Sequence, residues 1–594
     1  MLGYHGAYLK IDLNAENCRR IPLDDAILRE CVGGVGLGAW LMLNECAGEY
    51  AALAPEAPLV FAFAPLVGTA INTSAKAAVL SKSPLTERLN DAMVSSQFAL
   101  TGKGVGADAL VISGACEAWS TLYIEPEGIS LRPSPELRGL SAQETERRIR
   151  EAQGEQWSVV TIGLAGENLV PYALMSHDGR HAGRGGTGTV MGAKKLKAIA
   201  VKGAQATTVA DEARFSRIQA NLKARSLGHA TEKYRTTGTL GNLLVFNRLD
   251  ILPTRNFQAG SFDKALELSA EKIFTEQKVQ RVTCADCMIG CEKRVTAKNG
   301  NTVRLEYENM FALGPLLDIH DSDAVLEASQ LCDHYGLDTI TTGGTLAFAM
   351  ECVEKGLLDL PELRFADGAV VLEAIHKIAR REDYGELLAL GSRALARKIG
   401  RGSEAFAAHV KGLEMPGYHP ARLQTLGLGF AVGSRGADHN KSSAYDLDLS
   451  GTVDRFQLDE ERIGEMINLE DQAAIIDSLI LCKFVRRALQ DFFPEAAEML
   501  SALTGASFSA QDLQKSARTI HHLKKIFNRR QGWRAEEDTL PERFFAARSG
   551  DGLSDGIDPE AFRNARARYY HLRGWDDQGR PAPDQGLLEE LRLA

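Results

Sequence analysis

Long hydrophobic runs are missing from this chain. Its most apolar stretch, Ala57 to Ile71, has no charge but is cut by Pro58, Pro65 and Gly68. That falls short of the about 20 apolar residues a membrane-spanning helix needs, and it suits a pair of buried strands. A signal-peptide pattern is missing as well: Met1 to Leu13 alternates like a first strand, so a cytoplasmic protein is expected. Excess positive charge is absent, because 68 Lys and Arg face 78 Asp and Glu, for a formal charge of -10. This argues against nucleic-acid binding and favours small molecules or docking proteins as partners. Cysteine is sparse, at ten in 594 residues. Cys18, Cys31, Cys46, Cys116, Cys332 and Cys352 show no framework spacing, which excludes a disulfide-built fold and reads as buried thiols in a reducing compartment.

The remaining cysteines are concentrated. Cys284, Cys287 and Cys291 follow a C-x2-C-x3-C spacing, which lets one loop wrap three corners of a cubane cluster or of a tetrahedral metal. Sites of either kind usually take four thiolates, so the pattern calls for a distant partner, and Cys482 in Asp477-Ser-Leu-Ile-Leu-Cys482 is the best candidate. Zinc, or a chance cluster in a turn, is the alternative to iron and sulfur.

A chain of this length exceeds one hydrophobic core, so two to four domains are expected. Residues 1–203 read as short apolar strands separated by Gly-rich turns, and helical periodicity dominates afterwards. Boundaries near 203 and 410 give three units, 1–203, 204–410 and 411–594. Two glycine clusters, Gly33 to Gly38 and Gly183 to Gly192, lie in the first. The second of them, beside Arg184, Lys194 and Lys195, suits a phosphate-bearing cofactor, with tight turns and solvated basic residues as the alternative.

Asp321 to Gly336 reads as a helix with a glycine stop, followed by another through Glu354. Asp333-His-Tyr-Gly-Leu-Asp338 and Asp477-Ser-Leu-Ile-Leu-Cys482 share an Asp, a Leu four later and a ligand-type residue five later, so paired sites could grip both ends of a pseudo-symmetric ligand. Acid-base candidates lie between the two cysteine contributions. Glu306 and Glu308 would share one side of a strand, and a buried Glu gains proton affinity. His439 and Lys441 sit in a loop after the Gly-rich apolar run Leu426 to Gly433.

Ser81-Lys-Ser-Pro-Leu-Thr86, Gly183 to Lys197, the three cysteines, Glu306-Tyr-Glu308, Asp333-x2-Gly-Leu-Asp-Thr339, Arg435-Gly-Ala-Asp-His439 and Asp477-x3-Leu-Cys482 occur in that order. Over nearly its whole length the chain thereby resembles the tungsten-dependent aldehyde:ferredoxin oxidoreductase family. The resemblance implies an α+β multidomain fold, a β-rich saddle of two sheets followed by two mainly α-helical domains. It implies tungsten, or molybdenum, held by two pyranopterins, a [4Fe-4S] cluster on Cys284, Cys287, Cys291 and Cys482, and a magnesium ion bridging the pterin phosphates. Cofactor contacts would come from Lys76, Arg184, Gly185, Asp333, Gly336, Leu337, Asp338, Lys441, Asp477 and Leu481. Glu308 would relay protons and His439 would polarise the substrate, with Thr339 at the same pocket. An aldehyde would be the substrate, and ferredoxin or a dedicated iron-sulfur subunit the acceptor, in a homodimer or hetero-oligomer. Lys76 stands where the family commonly has Arg, Ile480 where it has Gly, and Met93 to Phe98 matches the family's pterin turn only loosely. A low-potential reductase of acids or aromatic acyl thioesters on the same fold is the second enzymatic reading. A non-catalytic electron-transfer or zinc-stabilised interaction protein is the third.

Overall fold

The structure is a computed structural model and describes the chain except residues 47, 453, 546–555, 582–588, 590 and 593–594. Two six-stranded sheets form the first part. One runs, in spatial order, Asn17–Pro22, Ala7–Asp12, Ala109–Ser113, Leu59–Ala62, Lys76–Lys82 and Leu89–Ser95. The other runs Arg180–Ala182, Met175–His177, Ser158–Ile162, Leu196–Val201, Ser120–Glu125 and Gly128–Pro133. Ala7–Asp12 with Ala109–Ser113, and Leu196–Val201 with Ser120–Glu125, pair in parallel, whereas the other pairs are antiparallel. Leu59, Phe61 and Leu110 of the first sheet share a core with Val160, Leu196 and Ile199 of the second. The apolar run from Ala57 to Ile71 yields one buried strand, Leu59–Ala62, and then a buried turn, so the expected strand pair is not formed. Pro65 cannot donate to a ladder and helps end it there.

Helices dominate from residue 212 onward, interrupted by a three-stranded sheet of Val279–Val282, Glu292–Thr296 and Thr302–Leu305. The fold is therefore α+β and multidomain, with a two-sheet part followed by mainly helical parts. A second core gathers side chains from Leu240 to Trp575 together with Leu85, Ala165 and Tyr172. Among the described residues no helix is long and apolar enough to cross a membrane.

The sequence echo has a backbone cause. Helix Ser322–Tyr335 ends on Gly336 at φ 76° and ψ 44°, and the Leu337 N–H reaches back to the Cys332 carbonyl at 2.8 Å. Helix Glu460–Leu479 ends on Ile480 at φ 64° and ψ 26°, and the Leu481 N–H reaches back to the Ile476 carbonyl at 3.0 Å. Both are left-handed helix stops with a leucine just outside, which leaves Asp333 and Asp477 three residues before the stop. A glycine of the first part packs on each end. A Cβ on Gly163 would lie 2.4 Å from the Tyr335 carbonyl oxygen, and one on Gly34 would lie 2.5 Å from that of Asp477. The cluster from Gly33 to Gly38 thus serves close backbone packing.

Ile480 adopts the left-handed conformation in place of glycine, at a cost of about 1–2 kcal/mol. Its side chain is fully buried, and emptying such a site costs about 2–5 kcal/mol. Ile480→Gly is therefore expected to destabilise the protein by about 1–3 kcal/mol, read as a lower urea midpoint. A variant more stable than the parent would show that backbone strain outweighs the packing.

Candidate active site

The three clustered cysteines occupy the connection between strands Val279–Val282 and Glu292–Thr296, which pair antiparallel. Cys482 follows the left-handed stop at Ile480, and all four thiols are half-buried. Two consecutive residues of the first part tie them together. Asn72 accepts the Met288 N–H at 2.9 Å, Thr73 donates its N–H to the Asp286 carbonyl at 2.7 Å, and the Thr73 hydroxyl accepts the Cys482 N–H at 3.2 Å. Ser96, in the turn from Met93 to Phe98, accepts the Ala285 N–H. Burial alone would discharge Lys76, yet Cys482, Cys284, Cys291 and Cys287 together hold its pKa above the ordinary lysine value. Burial and then the Cys482 thiol push Cys291 upward. The remote cysteine therefore joins the other three.

Among the described residues no three of these sulfurs lie within 4.8 Å of one another. A single tetrahedral zinc, with bonds of about 2.3 Å, needs its sulfurs about 3.8 Å apart. Thiols spread more widely suit the corners of a cubane. Glu146, His177 and Asp178 do bring their ligand atoms within 4.8 Å of one another. His177, however, faces the Val159 carbonyl at 2.7 Å through Nδ1 and accepts the Phe98 N–H at 2.8 Å through Nε2, so it braces the turn that carries Ser96.

Beside the second helix stop lies a buried knot of charge. Lys441 is 3.0 Å from Asp477 and 2.9 Å from Asp91, Lys483 is 3.3 Å from Asp477, Lys524 is 2.7 Å from Asp91 and Arg435 is 3.8 Å from Asp91. Burial opposes the charge on Asp91, but Lys441, Lys524 and Arg435 keep its pKa far below the usual carboxylate range. Burial lowers Lys483 to about 8. Four cations gather on two carboxylates here, and Asp438, 3.3 Å from Arg435, adds one more. Ser81 Oγ, Asn90 Nδ2, Asp91 Oδ1 and Arg435 Nε are buried without a hydrogen-bond partner. An anionic, hydrogen-bond-rich group such as a pterin phosphate fits both the surplus charge and these open groups.

The first helix stop is met differently. Asp333 lies 3.3 Å from Arg304 and 3.2 Å from His181; burial would raise its pKa, but the Arg304 guanidinium and the hydrogen-bonding His181 ring hold it at about 2. Asp338 caps helix Thr339–Glu354 through the Ile340 N–H and pairs with Arg184 at 3.3 Å. Arg184 also donates to the carbonyls of Ala437, at 2.8 Å, and Glu414. Gly185 has φ 84°, and a Cβ there would stand 2.2 Å from Asn90 Oδ1, so only glycine brings this loop so close to the strand Leu89–Ser95. Lys194 and Lys195 turn away, to the Pro55 and Gly114 carbonyls and to that of Glu117. The expected trio of basic residues is thereby reduced to Arg184.

Glu306 and Glu308 do not share a strand. Glu306 is the N-cap of helix Tyr307–Leu313, and Glu308 lies in its first turn, where a carboxylate sits favourably against the helix dipole. Glu308 accepts the Gly417 N–H at 3.0 Å through Oε2, while Oε1 is buried, unbonded and 3.7 Å from His439 Nδ1. Burial pushes Glu308 up to about 7 and His439 down to about 4. The His439 ring stacks on Tyr418 at 4.7 Å. Thr339 donates to Asn309 at 3.1 Å on the same helix as Glu308. A cavity of about 1080 Å³ opens over Lys76, Glu306, Glu308, His439 and Cys482. Lys524 and Asp91 belong to the charge knot beside Asp477 but went unforeseen. Lys524 sits in the run His521-His522-Leu523-Lys524-Lys525, which by composition is a solvated helix face.

A profile described as the N-terminal domain of aldehyde ferredoxin oxidoreductase matches residues 8–203, and one described as its domains 2 and 3 matches residues 216–593. The chain belongs to the aldehyde ferredoxin oxidoreductase family. A tungsten-containing aldehyde ferredoxin oxidoreductase of Pyrococcus furiosus is 35% identical over 613 residues, covering 100% of both chains. The aliphatic sulfonate oxidoreductase, WOR-like subunit, of the same organism is 27% identical over 100% of this chain and 97% of its own. The active site complex BamBC of benzoyl coenzyme A reductase with 1,5-dienoyl-CoA shares the fold at a TM-score of 0.84 and 22% identity, covering 100% of this chain and 97% of that one. Membership of the aldehyde ferredoxin oxidoreductase family makes the chain an enzyme of a tungsten oxidoreductase family, with which pterin and iron-sulfur cofactors are in keeping.

Proposed function

We propose that the protein oxidises an aldehyde to its carboxylic acid: one aldehyde and one water give one acid, two protons and two electrons. Ferredoxin or a dedicated iron-sulfur subunit takes the electrons one at a time through a [4Fe-4S] cluster on Cys284, Cys287, Cys291 and Cys482. The observation that carries this reading is the pairing of Glu308 and His439 at 3.7 Å in a cavity that also reaches Cys482. Tungsten or molybdenum held by two pterins, with magnesium on their phosphates, would supply the two-electron sink. Lys441, Asp477 and Leu481 would hold one pterin, and Asp333, Gly336, Leu337, Asp338, Arg184 and Gly185 the other. Lys76, which lines the cavity and feels all four thiols, would contact the cofactor too. His439, neutral at pH 7, donates a hydrogen bond to the carbonyl oxygen, and the free Glu308 Oε1 takes the proton from the attacking water. Thr339, bonded to Asn309, steadies the helix that carries Glu308. Residues 1–203 then act as the saddle, 204–410 bring the three-cysteine loop and first stop, and 411–594 bring the second stop, Cys482 and His439. The working protein is placed in the cytoplasm, as a homodimer or with an iron-sulfur subunit.

Protein purified from its native host is expected to contain about four iron and about one tungsten or molybdenum per chain, and to reduce a viologen dye when given an aldehyde. Zinc at about one per chain and no dye reduction would replace this reading with a metal-stabilised interaction protein. The cavity volume of about 1080 Å³ favours one second reading, reduction of an acid or aromatic acyl thioester. Consumption of benzoyl-CoA by the dye-reduced enzyme, with aldehydes inert, would select it.

A further inference from the structure

The cavity over Glu308 and His439 is graded from floor to mouth. Tyr307 and Tyr418 are buried at its floor, while at its mouth Val245 is 47% and Leu249 38% exposed. Between them runs an aromatic wall. Tyr418 stacks on His439, Tyr445 lies 5.2 Å from Tyr418, and Tyr234 stacks on Phe484 at 4.0 Å and 20°. Flat faces at such spacing suit another ring better than a flexible chain.

The mouth has a charge pattern of its own. Asp446 is shared between two guanidiniums, at 2.5 Å from Arg486 and 2.8 Å from Arg487. Glu232 stands 3.1 Å from the exposed His229 imidazole, so three cations, Lys233, Arg486 and Arg487, face two carboxylates at the mouth, Asp446 and Glu232. Among the described residues Lys233 has no carboxylate within 4.0 Å; its ammonium donates to Asn242. Desolvation and then Arg487 lower the Lys233 pKa, so two like charges are held near one another. Cations with too few carboxylates between them, at the open end of an aromatic slot, form a subsite for an anion.

We infer that the substrate is a flat aromatic aldehyde bearing an anionic group, carboxylate or phosphate, on the end remote from the carbonyl. The ring lies along Tyr234, Phe484 and Tyr445, the carbonyl reaches His439, and the anion meets Lys233 and Arg487. This rests on the aldehyde reading above.

The test uses the holoenzyme and a viologen acceptor with benzaldehyde, 4-formylbenzoate, 4-formylphenyl phosphate and 4-(trimethylammonio)benzaldehyde. At least one anionic substrate is expected to exceed benzaldehyde in kcat/KM by about tenfold, mainly through KM, with the cationic one poorest. Whichever anion is preferred names the group. In the double variant Lys233→Gln and Arg487→Gln the anionic-to-neutral ratio is expected to fall towards one. Equal turnover of neutral and anionic aldehydes, or a ratio the variant leaves untouched, overturns the inference while the aldehyde reading stands. Turnover of none of the four overturns both.

Discussion

Replacing Cys482 by serine is expected to lower bound iron well below four per chain and to reduce aldehyde-dependent dye reduction by at least about a hundredfold. The same spectroscopic change should follow Cys287→Ser, although the two positions are 195 residues apart in sequence. The reason is geometric. Cys482 and the loop of Cys284 to Cys291 are fastened to the neighbours Asn72 and Thr73, and each thiol alters the proton affinity of Lys76. Serine leaves the backbone bond to Thr73 in place and removes only the sulfur, so folding and ligation separate. Iron and electron paramagnetic resonance measurements read the outcome. An unaltered cluster signal in Cys482→Ser would take that residue out of the ligand set.

The second large effect concerns Glu308. Conversion to glutamine is expected to lower kcat by about 10²–10⁴. The parent's rate should rise with pH through about 7, because burial pushes the carboxyl to that value and the ionised form is the base. The variant should lose that rise. His439, lowered to about 4, is neutral across the same window and does not shape it. Stability runs the opposite way. A carboxyl whose pKa is raised on folding stabilises the folded state at low pH, and that contribution is lost as pH climbs towards 7. At pH 8 the glutamine variant should thus melt no lower than the parent. A variant that is slow and also less stable at pH 8 would mark Glu308 as a structural group.

Local chemistry made much of this legible. The C-x2-C-x3-C spacing pointed to one loop, which the structure places between two antiparallel strands, and the Asp-to-Leu echo proved to be a helix stop used twice, at Gly336 and at Ile480. Reading failed where tertiary context overrode local pattern. Glu306-Tyr-Glu308 alternates as a strand does, yet Glu306 caps a helix. Gly33 to Gly38 had no assigned role in the sequence; Gly33 and Gly34 make room for the Asp477 and Ser478 carbonyls, and Gly36 and Gly38 for Ile520 and Leu80. Lys524 gave no signal at all, and Arg435 stood in a motif without an assigned contact, since a buried cation is spelled like a solvated one until its carboxylate, Asp91, arrives from more than 300 residues away.

The fastening by Asn72 and Thr73 also bears on how the metal centre is built. All four cysteines proposed as ligands lie outside the first 203 residues, yet Asn72 and Thr73, which fasten the segments that carry them, lie within those residues. A fragment holding the thiols alone would own the claws without the clasp. With the proposed cluster on these thiols, loading of iron and sulfur would belong at the end of maturation, after the amino-terminal sheets have closed on the helical body.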